Sequence, residues 1–494
     1  MSDLVIEKVD EVNIRVRCER SFAKELSDFF TFKVPGHKFM PAYRNKVWDG
    51  TIKLYNMFSQ EIHSGLLDYV TTFAKERGYT CQVTFDTPHN KVNDDLVKRY
   101  LTDTLKISAG GKLIIPHDHQ IRAISHAIKH ERCLLLSPTG SGKSLIIYGL
   151  LRHLLEKTNK KILIIVPTTG LVSQMYSDFE DYSKMNEWNV EENCHKIYAG
   201  QDKKTDKTIV ISTWQSLYKL QAKYFEDFEV VFGDECHLFK AKSLTSIMSK
   251  LKNAKYRIGT TGTLDGALTH KLVIEGLFGP VKDVTTTKEL MEKDILSKLE
   301  IDCILLDYSD EDKNLVKTLK YPDEMKWLII NHKRNKFISK LTGTTNGNTL
   351  VLFQFVENHG KQLYEMIKLD NQHKNVFLIH GGIEMDDRER VRGLAEKQKD
   401  AVIVASYGTF STGINIKNLH NIIFASPSKS RIRILQSIGR QLRKHESKRI
   451  AKLFDIGDNL QWKKKMNHTL RHFFERIKLY KIEDFVFKTI KIKL

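Results

Sequence analysis

Twice along the chain, short apolar runs of strand length alternate with segments long enough for a helix, and this rhythm restricts the fold more than any other feature. The first series is CLLLS (133–137), KILIIVP (161–167), TIVIST (208–213), EVVFGDE (229–235) and KYRIGTTG (255–262). The second is IDCILLDY (301–308), TLVLFQF (349–355), NVFLIHG (375–381), AVIVASY (401–407) and NIIFASP (421–427). Runs that stay apolar at successive positions suit strands covered by helices on both faces of a parallel sheet. Two doubly wound α/β units in tandem are therefore expected. Their chemistry should lie in the loops after the strands, where open α/β sheets bind ligands.

The 494 residues exceed a single domain, and 79 Lys and Arg against 60 Asp and Glu leave a formal charge of +19. Such a surplus favours a polyanionic partner, nucleic acid or an anionic membrane face, although solubility accounts for part of it. No stretch approaches the roughly 18 to 20 apolar residues of a membrane-spanning helix. The opening MSDLVIEKVDE lacks the basic and apolar regions of a signal peptide, so a cytoplasmic, reducing location is expected. Six cysteines without a CxxC pair read as free thiols, not as a disulfide scaffold or a zinc ribbon.

Paired glycines at Ala109-Gly110-Gly111 mark the first break, after an amphipathic segment at 93–105. Residues 1–108 read as a small α+β domain, with a strand through Val12, Ile14 and Val16 and helical stretches near 21–30 and 66–77. The two α/β units then occupy 109–282 and 283–456, and 457–494 reads as a basic helical extension. No repeat of 20 to 50 residues and no low-complexity tract interrupts this order.

The strongest local signal is Ser137-Pro138-Thr139-Gly140-Ser141-Gly142-Lys143-Ser144, between the strand CLLLS and a helical pattern at Leu145, Ile146, Leu150, Leu151 and Leu154. It reads as a phosphate-binding loop. Thr139, Gly140, Ser141 and Gly142 would close backbone N–H groups around phosphate oxygens, Lys143 would neutralise their charge, and Ser144 would ligate Mg²⁺. Ser137 stands where such loops usually begin with Gly. Asp234-Glu235 ends the strand EVVFG; in this company Asp234 is the expected Mg²⁺ carboxylate and Glu235 the group that activates water. In the second unit, Gln436-Ser437-Ile438-Gly439-Arg440-Gln441-Leu442-Arg443 carries two arginines three apart, expected on one helix face. They suit transition-state charge at a γ-phosphate; a solvated or nucleic-acid-facing helix would use them equally well.

The ordered series PTGSGKS, VPTTGLVSQ, STWQSL, DECH, TTGT, STGINI and QSIGRQLR resembles superfamily 2 helicases over residues 113–456. That resemblance implies two tandem RecA-like sheets sandwiching ATP and Mg²⁺, preceded here by the small α+β domain and followed by the basic helical tail. It also implies that Thr261, Gly262 and Thr263 couple hydrolysis to movement, that Gly413, Asn415 and Gln436 face ATP, and that Gln120 reads adenine. Thr168, Thr213 and Thr409 would contact strand phosphates. The aromatic residue that often precedes the family's Gln is missing from Pro116-His117-Asp118-His119-Gln120. Together with PGHKFMPAYRNKVWDG (35–50), the whole chain resembles phage recombination helicases. The implied activity is ATP-driven remodelling of branched or forked DNA through its duplex and single strands, with RNA paired in hybrids as a further substrate and recombination or replication proteins as partners.

Charge is distributed unevenly. Residues 431–494 hold 18 Lys and Arg against 6 Asp and Glu, most of the net surplus, with Trp462, Phe473, Phe474 and Tyr480 among them. These aromatics either accompany phosphate contacts or pack the tail onto the second unit. Residues 1–108 are nearly neutral, yet Lys38, Arg44 and Lys46 lie among Phe39, Tyr43 and Trp48. Phosphate contact with base stacking and a loop packed by its own aromatics explain that segment equally. Three rivals to a DNA helicase remain. An RNA-remodelling ATPase shares every motif, a small-molecule kinase leaves the second unit unexplained, and a passive annealing protein would not need Glu235.

Overall fold

Seven parallel strands form the first large sheet, in the order Cys194–Ile197, Ile209–Thr213, Lys161–Val166, Phe228–Asp234, Tyr256–Thr261, Arg132–Leu136 and Val281–Asp283. Successive residues of one strand enter opposite cores: Leu135 and Ile164 face one helical layer, Leu134 and Leu163 the other. This two-sided burial is why the runs are continuously apolar. Register then aligns the strand ends, with Leu136 beside Thr261, Asp234 beside Thr260 and Val166 beside Thr213. The structure is a computed structural model describing all residues except Met1, Pro88, His89, Ala199, Gly413, Ile414, Asn415 and Lys417, and only the backbone of Met385, Asp386, Arg388, Glu389, Ser411 and Thr412.

The chain divides into two compact units, Met1–Ser137 with Ser141–Thr285, and Pro138–Gly140 with Thr286–Leu494. The second contains another parallel seven-stranded sheet, ordered Val376–Ile379, Val402–Ser406, Thr349–Phe353, Asn421–Phe424, Ile450–Asn459, Lys298–Asp307 and Phe487–Lys493. Two fully buried ion pairs cross its core. Arg334 donates to Asp458 at 2.8 Å, with the Tyr308 hydroxyl on the same carboxylate, and Arg476 donates to Asp455 at 2.7 Å, with Tyr480 joining it. Desolvated charges of this kind are tolerable because their remaining donors are used: Arg334 also reaches the Ala425 carbonyl and Arg476 that of Ser428.

Packing moves two boundaries from where the sequence suggests them. Val97, Leu101, Leu105 and Ile107 lie in the core of the first large sheet, so the segment before residue 108 packs with the α/β unit and not with the leading module. Gly110 and Gly111, both at positive φ, are the turn of a hairpin joining Ser108–Ala109 to Lys112–Leu113. At the other end, 457–494 contributes the helix His468–Ile482 and also the outer strand Phe487–Lys493. Phe473, Leu479 and Tyr480 are buried in the second unit, which favours packing over nucleic-acid contact for the two rings. Alternation of Ile490 and Ile492 with Lys491 and Lys493 is the strand signal that the charge pattern obscures.

The leading module is a five-stranded mixed sheet, ordered Tyr55–Asn56, Glu61–His63, Asn13–Cys18, Leu4–Lys8 and Cys81–Val83. Helices Arg20–Phe29 and Leu67–Glu76 close a core of Leu26, Phe30, Val70 and Phe73. It packs firmly on the first large sheet's layer within one unit. A Cβ on Gly65 would lie 2.0 Å from the Glu275 carbonyl oxygen, Tyr69 donates to the Glu275 carboxylate at 2.8 Å, and Arg132 donates to the Glu11 carbonyl at 2.6 Å. Among the described residues no helix is long and apolar enough to cross a membrane, and all six cysteines are free thiols.

His63 sits at this junction against Gly276, bonded to Asn13 at 3.0 Å, and burial with the nearby Arg257 and Arg132 pushes its pKa down to about 4. The folded ring is neutral over a range in which the unfolded ring takes up a proton. Stability contributed by His63 is therefore present above its ordinary pKa of 6.5 and lost as pH falls towards 4. His63→Asn should remove about one proton from the uptake on unfolding in that window. The check is the slope of unfolding free energy against pH in the two proteins, which should differ below pH 6.5 and coincide above it.

Candidate active site

The phosphate-loop signature folds as its strand-loop-helix context requires. Gly140 and Gly142 take φ of +89° and +82°, values that a side chain resists, and Gly142 caps the helix Lys143–Leu155. Ser137, the departure from the usual Gly, is fully buried and its hydroxyl bonds that of Ser141 at 2.6 Å, so the extra side chain ties the loop's start to its apex. Lys143 opens the helix and donates to the Ser137 carbonyl at 3.4 Å. Ser144 is bonded at 2.8 Å to the hydroxyl of Tyr182, a partner no local pattern reveals because it arrives from the helix Thr169–Ser183.

Gln120 lies beneath this loop. Its amide donates to the Ser141 carbonyl at 3.0 Å and its oxygen accepts from the His117 N–H at 2.8 Å, completing a capping box at the start of helix Asp118–His130. A Cβ on Gly142 would approach its amide nitrogen to 2.2 Å. The neighbouring His119 ring is also bonded to Ser141 O, at 2.9 Å. The amide end of Gln120 thus braces the loop while its oxygen holds the start of its own helix.

Asp234 and Glu235 follow from the strand Phe228–Asp234, which Tyr256–Thr261 separates from the strand feeding the loop. Asp234 is buried and accepts from Thr260 Oγ1 at 2.8 Å. Burial raises its pKa, the adjacent Glu235 adds to the rise, and Lys143 and Thr260 oppose it. Glu235 itself adopts φ +53°, a conformation uncommon outside glycine, which turns its carboxylate to within 3.3 Å of His237 Nδ1. The same ring nitrogen lies 3.1 Å from Thr261 Oγ1, and Thr261 Oγ1 donates to Thr263 O at 3.1 Å. The TTGT segment therefore meets the carboxylates through Thr260 and Thr261; Thr260 and His237 are participants that spacing alone does not single out.

These residues suit Mg²⁺. Ser144 and Asp234 offer hard oxygen donors, and the buried Asp234 carboxylate carries negative charge that a cation would offset. A magnesium ion takes most of its remaining ligands from substrate phosphates and water. Among the described residues no group of three or more His, Cys, Asp or Glu is placed to hold a metal ion.

The other expected residues are dispersed. Thr168 caps the helix Thr169–Ser183 by accepting from Leu171 N, Thr213 is buried and bonded to Ser216, and Thr409 is buried and bonded to Ser406 at 2.7 Å. In the second unit, Gln436 and Arg440 belong to the helix Arg431–Gln441, and the Arg440 guanidinium lies 5.9 Å from the Phe410 ring centre. Arg443 corrects the expectation of two arginines on one helix face. The helix stops at Gln441, Ser297 N–H takes the Leu442 carbonyl at 2.8 Å, and Arg443 pairs as an antiparallel bridge with Leu296. Gly413 and Asn415 lie outside the described residues.

In the leading module Lys38, Arg44 and Lys46 are all exposed, on a short excursion between the paired strands Thr31–Lys33 and Thr51–Lys53. The two explanations of its aromatics divide by residue. Tyr43 packs edge-on against His37, and Trp48 donates to the Thr51 carbonyl at 2.7 Å, whereas Phe39 is 78% exposed and Val47 82%.

A phosphate loop, paired carboxylates at the end of another strand of the same sheet and a second parallel sheet without such a loop define the two-sheet helicase class of nucleic-acid-dependent ATPases. Three family descriptions match in order: DNA helicase UvsW, N-terminal, at residues 3–86; type III restriction enzyme, res subunit, at 113–266; and helicase conserved C-terminal domain at 332–445. The ATP-dependent DNA helicase uvsW of Enterobacteria phage T4 is 36% identical over 99% of this chain and 100% of its own. The crystal structure of T4 UvsW superposes with a TM-score of 0.53, at 34% identity and 99% of both chains. A DNA-bound type ISP restriction-modification enzyme, LlaBIII, covers 78% of the chain and 32% of its own at 18% identity, with a TM-score of 0.56, a likeness of fold. The chain belongs to the UvsW family of superfamily 2 helicases.

Asp234 yields a clean test of the site's internal strain. A carboxyl whose pKa is raised by folding is ionised at neutral pH only against the preference of the fold, so Asp234→Asn should raise the melting temperature of the ligand-free protein. The same change should reduce ATP turnover by about 100-fold or more. Calorimetry and steady-state hydrolysis measure the two effects, which run in opposite directions.

Proposed function

We propose that the chain is an ATP-dependent DNA helicase and translocase that remodels branched DNA, regressing forks, migrating junctions and displacing RNA from hybrids. The observation carrying this reading is the leading module: it matches the UvsW N-terminal description and exposes Lys38, Arg44 and Lys46 around Phe39 on one excursion. Three cations with an exposed ring suit a phosphate backbone near unpaired bases.

In the proposed cycle, the loop 137–144 cradles the triphosphate and Lys143 holds its β and γ charge. Ser144, released from Tyr182, and Asp234 would hold Mg²⁺, which supplies charge neutralisation at the phosphates when bound. Glu235 orients and deprotonates the attacking water, with His237 beside it to fix the carboxylate. The family resemblance implies that Arg440 and Arg443 stabilise transition-state charge and that Gln436, Gly413 and Asn415 serve nucleotide binding. The Thr260–Asp234 and Thr261–His237 bonds link the phosphate chemistry to the TTGT segment. Thr168, Thr213 and Thr409 would meet strand phosphates; because the Thr213 and Thr409 side chains are already buried and bonded, backbone N–H groups at their strand ends suit that role better than their hydroxyls.

ATPase stimulation and product formation on forks, four-way junctions, RNA–DNA hybrids and single strands test the reading directly. Branched DNA should stimulate most; stimulation by structured RNA alone would replace it with an RNA-remodelling enzyme. Glu235→Gln should still bind ATP while losing about 100-fold or more in turnover. Arg44→Ala with Lys46→Ala should weaken binding of branched DNA and make its salt dependence shallower by about 1 to 2 in log–log slope. ATP affinity should stay constant, measured by nucleotide titration of the same preparations.

A further inference from the structure

The end of the helix Thr169–Ser183 is tied down on both sides, and the ties fix where one phenol points. The Asp181 carbonyl accepts from Ser108 Oγ at 2.6 Å and its carboxylate from Gly110 N–H at 2.9 Å. Ser183 is buried; its Oγ donates to the Phe179 carbonyl at 2.8 Å and lies 2.8 Å from the Tyr148 hydroxyl, to which Arg152 donates at 2.9 Å. Between these anchors the half-buried Tyr182 packs its ring on Tyr148, with centroids 5.4 Å apart, against the first core. Its hydroxyl reaches Ser144 Oγ, in the phosphate loop, at 2.8 Å.

With residues 181 and 183 both held, the phenol has little freedom to withdraw. The partner that can turn is the serine, whose hydroxyl swings about a single side-chain bond. Either oxygen of the pair could donate. The phenol is the more acidic hydroxyl, which favours Tyr182 as donor and places its proton on one of the two Ser144 lone pairs. The bond thereby sets the direction of the serine hydroxyl and aims a partial positive charge at the oxygen expected to ligate Mg²⁺. A phosphate cradled by backbone N–H groups meets no such opposition. Lys143 is satisfied within the chain in the same way, through the Ser137 carbonyl, so the ligand-free loop keeps both of its working side chains occupied.

We propose that Tyr182 is a positioning residue that holds Ser144 in the ligand-free loop and gives it up when nucleotide loads with Mg²⁺. Its hydroxyl then weakens binding of the magnesium–nucleotide complex and leaves binding of magnesium-free nucleotide unchanged. The inference rests on the assignment of Ser144 to Mg²⁺ under the proposed function. Because substrate and product are weakened alike, the contact favours release of ADP.

The test compares the full chain as wild type, Tyr182→Phe, Ser144→Ala and the double variant, with ADP affinity measured by titration in Mg²⁺ and in EDTA. In EDTA, Tyr182→Phe should bind ADP as wild type does, which also verifies that this variant, whose ring packing is kept, is folded. In Mg²⁺ it should bind ADP about 2- to 10-fold tighter, the net worth of one hydrogen bond. KM for ATP should fall by a similar factor with kcat no lower. In the Ser144→Ala background the same change should have no effect. Equal or weaker Mg²⁺-dependent affinity in Tyr182→Phe, or a gain that persists without the serine hydroxyl, would overturn the inference. Should Ser144→Ala keep the whole of the wild-type advantage that Mg²⁺ gives, the assignment of Ser144 to the ion fails first and takes the inference with it.

Discussion

A carboxylate taken out of water beside a lysine sets the terms for the first unit. Asp234 ends a strand buried on both faces, and its charge is opposed by burial and by Glu235 while being supported by Lys143 and Thr260. Each supporter comes from a different strand end, so the charge is held only when the register of Tyr256–Thr261 on Phe228–Asp234 is correct and the loop between Arg132–Leu136 and Lys143–Leu155 is closed. The parallel sheet is the scaffold that makes those ends coincide. Its apolar faces supply stability, and the exposed edge is left for charges that the core could not accommodate.

The contrast with the second sheet is instructive. There the buried charges are fully paired: Arg334 with Asp458 and Arg476 with Asp455 have partners for nearly every donor. Such pairs hold a fold in register and are poor places for chemistry, because nothing is left to satisfy. Asp234 and Ser144 differ in that respect. They carry charge or hydrogen-bonding capacity that a phosphate or its counter-ion can use.

Much of the architecture was legible in the chain because parallel sheets write themselves as continuous apolar runs. Every run quoted from the two series became a strand, whereas the outer strands Cys194–Ile197, Val281–Asp283 and Phe487–Lys493 and the interior strand Ile450–Asn459 did not stand out, since charged and polar residues interrupt all four. The loop, Asp234 and Glu235 were legible for a second reason: glycine and lysine at fixed spacing serve only a few physical ends. Partners arriving from elsewhere had no such signature. Tyr182 on Ser144, Thr260 on Asp234 and Gln120 under Ser141 depend on distances across 21 to 38 positions of chain. Arg443 shows the opposite error, in which regular spacing suggested one helix face and a backbone bridge to Leu296 ended the helix first.

From its residues alone, this chain determined two parallel sheets, a phosphate loop with its carboxylates and a strong bias towards polyanions, because periodicity, glycine placement and net charge are local or additive properties. Tertiary structure decided which hydroxyls and amides those groups lean on, that the segment after residue 93 joins the first core, and that the basic tail closes the second sheet. Those outcomes turn on packing and desolvation, which depend on neighbours brought from distant parts of the sequence.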